Sequence, residues 1–337
     1  MKKSGGKKRK VALVIGLVVS AIFLFLSLRR INFHELWQTL LSSHWWPWYV
    51  LAPAVYVLGL LVRGLRCREI LRPHCDLPVS TSTNIVVIGY AANNVLPARL
   101  GELVRCHYLG DREHISRTTT LGTVVVERVV DTAVVVSIAS LAILVLNVRG
   151  LVASAVLVGL AITALLVVGL IIGLTAHRLP GAERVIAWAQ RWPRLVDVTG
   201  KLRGGLAVAG RPRTLAEALA LSVVAWGATV VAFAAAGQAL GVQLTVAQAA
   251  LLAAGVALAT GIPSGPSNLG TFDLAAVAIL GTFGVDRETA LAIALLAHAS
   301  VLVITSIGGA VSLLRLGWRH NRETPPGAAT AAGIGGS

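Results

Sequence analysis

The stretch Ile85–Leu96, IVVIGYAANNVL, runs straight into Pro97-Ala-Arg99-Leu-Gly101-Glu102. Its 12 apolar-rich residues fall well short of the ~20 that a helix needs to cross a ~30 Å hydrocarbon core. A second run, Ala247–Ile262, has 16 residues and ends in Pro263-Ser264-Gly265-Pro266-Ser267-Asn268. Proline removes a backbone donor and collides with the preceding turn, so both runs are expected to stop inside the apolar layer and return to the side from which they came. Each break carries the pattern Pro-x-x-Leu-Gly, at Pro97–Gly101 and Pro266–Gly270, with a carboxylate just beyond at Glu102 and Asp273.

The rest of the chain makes a membrane the natural surrounding for such broken helices. Of its 337 residues 55% are hydrophobic and only 13% charged, about half the charge of an ordinary soluble domain. Six runs are long enough to cross, at about 11–28, 48–65, 119–146, 151–176, 215–240 and 289–314; the first, at 1.5 Å per residue, reaches roughly 27 Å. The expected fold is therefore an all-α polytopic membrane protein of about six full spans with two re-entrant elements. Its domain, residues 11–315, lies between a basic tail at 1–10 and a tail at 316–337.

The net charge of +15 reads as orientation and gives no reason to expect a nucleic-acid partner. With both short elements returning, the stretches on one side hold 25 of the 30 Lys and Arg residues and those on the other side hold four. That asymmetry places both termini in the cytoplasm and makes the two hairpins enter from opposite faces. Opposed broken helices are the sequence sign of a transporter built on inverted repeats, with its site near the midplane. Two amphipathic stretches, Phe33–Leu41 and Val185–Trp192, suit the membrane surface. The tail from Thr324 has the composition of a disordered segment. Cys67, Cys75 and Cys106 lack the spacing of a zinc site or a disulfide framework, and no cofactor is expected.

Charges inside the membrane need a reason, since each costs on the order of 2.5–3.5 kcal/mol at a helix centre. Asn93 and Asn94 offer donors where helical bonding stops, and Arg99, Glu102 and Arg105 follow at i, i+3 and i+6, so that Glu102 is expected to pair with both arginines. Glu127, Arg128 and Asp131 lie within a span. They form either a structural ion pair or, with the first cluster, a balanced set of three arginines and three carboxylates that a phosphate can enter. The second break supplies Pro263, Ser264 and Asn268, and Asp273 with His298 is a candidate for proton relay. No HExxH, GxSxG, Walker or dinucleotide motif is present.

The series Asn94-x-x-Pro97-x-Arg99-x-Gly101-Glu102-x-x-Arg105, then Ser116, then Glu127-Arg128-x-x-Asp131 resembles the transmembrane region of lysylphosphatidylglycerol synthases and their stand-alone, flippase-like relatives. Leu65-Arg66-Cys67-Arg68 and the Pro263–Gly270 break followed by an acid are similar too. That family usually has Glu after its second break, where this chain has the shorter Asp273. The resemblance implies a multi-pass plasma-membrane protein that moves an anionic phospholipid or a polyprenyl-phosphate-linked headgroup between leaflets. It also implies a stand-alone member without the soluble synthase domain, for which a separate lipid synthase is a natural partner and oligomers are open. A membrane-embedded lipid-modifying enzyme and a scaffold for such a synthase are the alternatives.

Overall fold

A computed structural model describes residues 33–43, 46–96, 100–175, 193–262 and 265–323. The expected first span, the Val185–Trp192 stretch, the C-terminal tail, and Pro97, Arg99, Pro263 and Ser264 lie outside these residues. Eleven α-helices are described: α1 (Phe33–Leu41), α2 (Trp48–Leu71), α3 (Val79–Val95), α4 (Gly101–Arg112), α5 (Arg117–Leu146), α6 (Leu151–Thr175), α7 (Pro193–Leu206), α8 (Pro212–Ala239), α9 (Val246–Ala259), α10 (Thr271–Gly281) and α11 (Arg287–Glu323). No strand occurs among the described residues. Five helices, α2, α5, α6, α8 and α11, are long and apolar enough to cross a membrane, and the chain is a polytopic all-α membrane protein.

Local chemistry sets several helix ends. Thr245 Oγ1 accepts from Gln248 N while Gln248 Oε1 accepts from Thr245 N at 2.9 Å, a reciprocal cap that starts α9. Pro212 occupies the first turn of α8, where no backbone donor is needed. The carboxylate of Asp273 takes the Gly270 N–H at 3.1 Å and starts α10.

The side-chain contacts fix the direction of each helix. Along α2, Arg63 reaches Thr229 of α8, Arg66 reaches Ser222, and Ile70 packs with Ala218, so the two helices are antiparallel. Ile70 also packs with Val126 and Arg66 pairs with Asp131, which sets α5 antiparallel to α2. The face at which α2 ends and α5 and α8 begin is the near face; the opposite one is the far face. Helices α3 and α4 form a hairpin entering from the near face, with Leu77, Ile85 and Leu109 packed on Cys67 and Leu71 of α2. Helices α9 and α10 form a second hairpin, which starts where α8 ends and so enters from the far face. Helix α11 passes both: His298 lies at the second hairpin, Thr305 meets Asn94, and Ser312 meets Asn84.

The largest core surrounds the second hairpin, where Ala139, Leu251, Leu252, Leu280 and Ile293 are fully buried. Small side chains at such seams let helices approach closely where lipid gives little hydrophobic drive to helix association. By contrast, α6 leaves most of its apolar side chains uncovered, as suits a helix whose neighbour is lipid. In α1, Leu36 joins the core while Trp37 and Leu41 face outward.

The charge count places Arg63, Arg66 and Arg105 among the aqueous residues of the near face, whereas in the structure all three are buried. Helix α2 continues to Leu71, six residues past the end of the apolar run, and packing against α5 and α8 covers its charged end. Removing the three leaves 22 basic residues against four, so the charge asymmetry persists.

Candidate functional site

The two hairpin tips meet. Asn94 stands one residue before the end of α3, where carbonyls have no helical donor left, and its carbonyl oxygen accepts the Ser267 hydroxyl at 2.8 Å. Its side-chain amide donates to Thr305 Oγ1 at 2.8 Å and Ser306 Oγ at 2.9 Å. Asn94 thus joins both hairpins to α11. On the other side of the first break, Asn93 Oδ1 accepts from the Gly101 N–H at 2.8 Å, an orphan donor of the α4 N-terminus. In the second tip, Ser267 and Asn268 have φ of 61° and 54° and Gly270 has φ of 79°, the left-handed turns by which the chain reverses within the bundle.

Beside the tips lies a cavity of about 240 Å³. Among the expected residues Asn94, Glu102, Arg128, Asp131 and Asn268 line it, as does His298. Arg105, Glu127 and Asp273 stand behind its wall.

Behind that wall the charges form a dense network. Glu127, 1% exposed, receives Arg105 Nη1 and Nη2 at 2.9 and 2.6 Å, Arg66 Nη2 at 2.9 Å and Arg128 Nη2 at 2.9 Å. Arg66 grips Asp131 with both Nη atoms and gives a further bond to Ser222 at 2.6 Å. Arg128 also comes within 3.3 Å of Asp131 and 3.8 Å of Glu102. Fully desolvated pairs of this kind are costly to break, since one lost partner leaves a bare charge.

The expected pairing of Glu102 with Arg99 and Arg105 is therefore corrected in part. Arg105 turns to Glu127 of α5, because its bidentate fork is fully matched there, while Glu102 faces Arg128. Arg105, expected to receive a phosphate, is locked away from the cavity by that match. Arg128 retains 30% of its side-chain exposure and presents its guanidinium to the cavity.

Arg63 and Arg66 were absent from the expected site. Arg63 lines the cavity, 5% exposed, held by Thr229 Oγ1 at 3.0 Å and lying 5.4 Å over the Trp226 ring. Trp226 is itself oriented by donating to Asp131 at 3.2 Å. A signal for the missed pair exists in the chain: Arg63 and Arg66 are three apart, and Glu127 and Asp131 four apart, so each pair shares a helix face. At the second tip His298 lies between Asp273 Oδ1 at 3.2 Å from Nδ1 and the Ser267 carbonyl at 2.9 Å from Nε2. Its ring stacks on Phe272 with centroids 4.2 Å apart.

Two comparisons with known proteins bear on this arrangement. The chain is similar to the glycosyltransferase AglD of Haloferax volcanii, at 27% identity over 91% of this chain. The match covers 55% of that relative, so this chain spans about half the length of the protein it resembles. The family model described as "Lysylphosphatidylglycerol synthase TM region" matches residues 13–309, from before the first described helix to within α11. The opposed hairpins and their arginine-carboxylate network thus fall inside the matched region, and this multi-pass membrane protein belongs to the lysylphosphatidylglycerol synthase transmembrane-region family, which is linked to lipid or glycosyl handling.

Proposed function

We propose that the protein moves a lipid headgroup between the leaflets of the plasma membrane, with an anionic phospholipid or a polyprenyl-phosphate-linked headgroup as cargo. The observation that carries the reading is the meeting of two hairpin tips, entering from opposite faces, beside a cavity that presents Arg128. A polar headgroup gains hydrogen bonds and charge neutralisation there while its chains stay in the bilayer. Glu102 and Asp131 balance Arg128 when the cavity is empty, and a phosphate competes with them for the same planar donors. Opening the tips toward one face or the other then alternates access, provided the cargo binds the two states differently.

The test is reconstitution into liposomes with fluorescent phospholipids. Arg128→Ala is expected to insert normally and to abolish leaflet exchange. Arg128→Lys retains little activity, because an ammonium replaces a planar fork. Full exchange by Arg128→Ala sinks the reading.

A second reading, enzymatic modification of a lipid headgroup, draws on the relative's name and on the carboxylate of Asp131 at the cavity wall. A lipid product of altered mass from the same liposomes distinguishes it.

A further inference from the structure

The buried arginines around the cavity are not equally paired. Arg63, Arg66, Arg105 and Arg128 stand near Glu102, Glu127 and Asp131, while the remaining carboxylate, Asp273, faces His298 at 3.2 Å. One of the four arginines lacks a carboxylate. Arg66, Arg105 and Arg128 each have a carboxylate, whereas Arg63 has none within ion-pair distance among the described residues. A threonine hydroxyl and the face of Trp226 are its neighbours, and among the described residues Nη1 has no hydrogen-bond partner. A buried guanidinium left in that condition is costly, and an oxyanion arriving through the cavity that Arg63 lines would supply both the missing charge and the missing acceptor.

Resting on the transport reading above, we propose that Arg63 is the headgroup-binding cation of this cavity and that the cavity selects a phosphodiester bearing one net negative charge. Arg128 adds to the grip while remaining tied to its carboxylates. A zwitterionic headgroup cancels its phosphate charge with an ammonium and brings Arg63 no net counter-charge. The remaining polar lining, Asn93, Asn94, Thr229 and Thr305, with Tyr56 and Tyr90 beside them, offers amides and hydroxyls to an uncharged polyol or sugar on the far side of the phosphate.

Trp226 reports on the site because Arg63 lies on its ring. Intrinsic fluorescence of the purified full chain is titrated with dihexanoyl phosphatidylglycerol, dihexanoyl phosphatidylcholine and inorganic phosphate, and Trp226→Phe identifies the responding signal. Wild type is expected to bind the glycerol lipid at least about tenfold more tightly than the choline lipid or free phosphate. Arg63→Gln loses that preference by a similar factor, and Arg63→Lys keeps part of it. The wild-type series tests charge selection even if Arg63→Gln does not fold. Equal affinity for the choline lipid overturns the charge rule. Equal affinity for inorganic phosphate overturns the lipid source, and unchanged binding by Arg63→Gln overturns the residue. Absence of leaflet exchange in liposomes, with these binding results intact, removes the transport reading and leaves the subsite standing. Undiminished exchange by Arg63→Gln does the reverse.

Discussion

Ser267 and Asn94, 173 residues apart, are joined by a hydrogen bond from the Ser267 hydroxyl to the Asn94 carbonyl at 2.8 Å, and that bond ties the tip of one hairpin to the tip of the other. The carbonyl is available because α3 ends at Val95, and the hydroxyl points at it because Ser267 adopts a left-handed turn. On the transport reading proposed above, a bond between the two tips acts as a latch. Ser267→Ala is expected to lower stability by about 1 kcal/mol, seen as a small fall in the melting temperature of the detergent-solubilised protein. It also raises the rate of leaflet exchange if separation of the tips limits transport. A slower rate with unchanged melting temperature contradicts the latch.

The network divides into a part that holds the fold and a part that faces the cavity. Arg66 is wholly buried between Glu127 and Asp131, so Arg66→Ala leaves two carboxylates short of a partner and is expected to destabilise by about 3–5 kcal/mol. Arg128→Ala removes a partly exposed group and leaves Glu127 with Arg66 and Arg105. Melting curves followed by size-exclusion chromatography separate the two: Arg66→Ala aggregates or melts much earlier, and Arg128→Ala elutes as wild type. Equal melting of both variants contradicts the division.

Gly101 shows why a motif glycine matters here. A Cβ on it would strike the carbonyl oxygen of Gly89 and the Asn93 side chain, and the same close approach lets Asn93 accept the Gly101 N–H. Because the obstruction includes backbone, Gly101→Ala is expected to cost about 1–3 kcal/mol through overpacking. It should also splay α3 from α4. The check is thermal stability together with faster amide hydrogen exchange at residues 89–105. A stable Gly101→Ala variant with unchanged exchange refutes the packing account.

The hairpins were legible in the chain because the physics is one of length: 12 and 16 apolar residues stopped by proline do not span a bilayer. Glu127, Arg128 and Asp131 were legible because charge inside an apolar run is conspicuous. Arg63 and Arg66 were not, since they follow the apolar run ending near residue 65 or sit at its edge, where hydropathy assigns charge to water. Their burial comes from partners 61–166 residues away on α5 and α8, a tertiary pairing that no local window contains. The expected set of three arginines and three carboxylates gained Arg63 and Arg66 for the same reason. Arg105 was assigned to the cavity by its spacing from Arg99 and Glu102, but spacing along α4 does not reveal that Glu127 offers a matched fork on the neighbouring helix.

The topology itself is testable by labelling, and the native cysteines make that practical. Cys67 and Cys106 are buried. Cys75, in the loop after α2, is half-buried, and burial with the nearby Glu113 carboxylate pushes its thiol up to about 11. An ordinary thiol titrates near ~8.5, so at pH 7.5 Cys75 holds roughly two orders of magnitude less thiolate and reacts correspondingly slowly. Against this quiet background, Asp76→Cys in a Cys75→Ser chain marks the near face and Gln243→Cys marks the far face, both at exposed loop positions. A membrane-impermeant maleimide added to the outside of intact cells is expected to label Gln243→Cys and to spare Asp76→Cys, with the pattern reversed in inside-out vesicles. That result requires the α3–α4 hairpin to enter from the cytoplasm and the α9–α10 hairpin to enter from outside. Labelling of both positions from one side would break the opposition of the hairpins, and with it the alternating access drawn from their meeting tips.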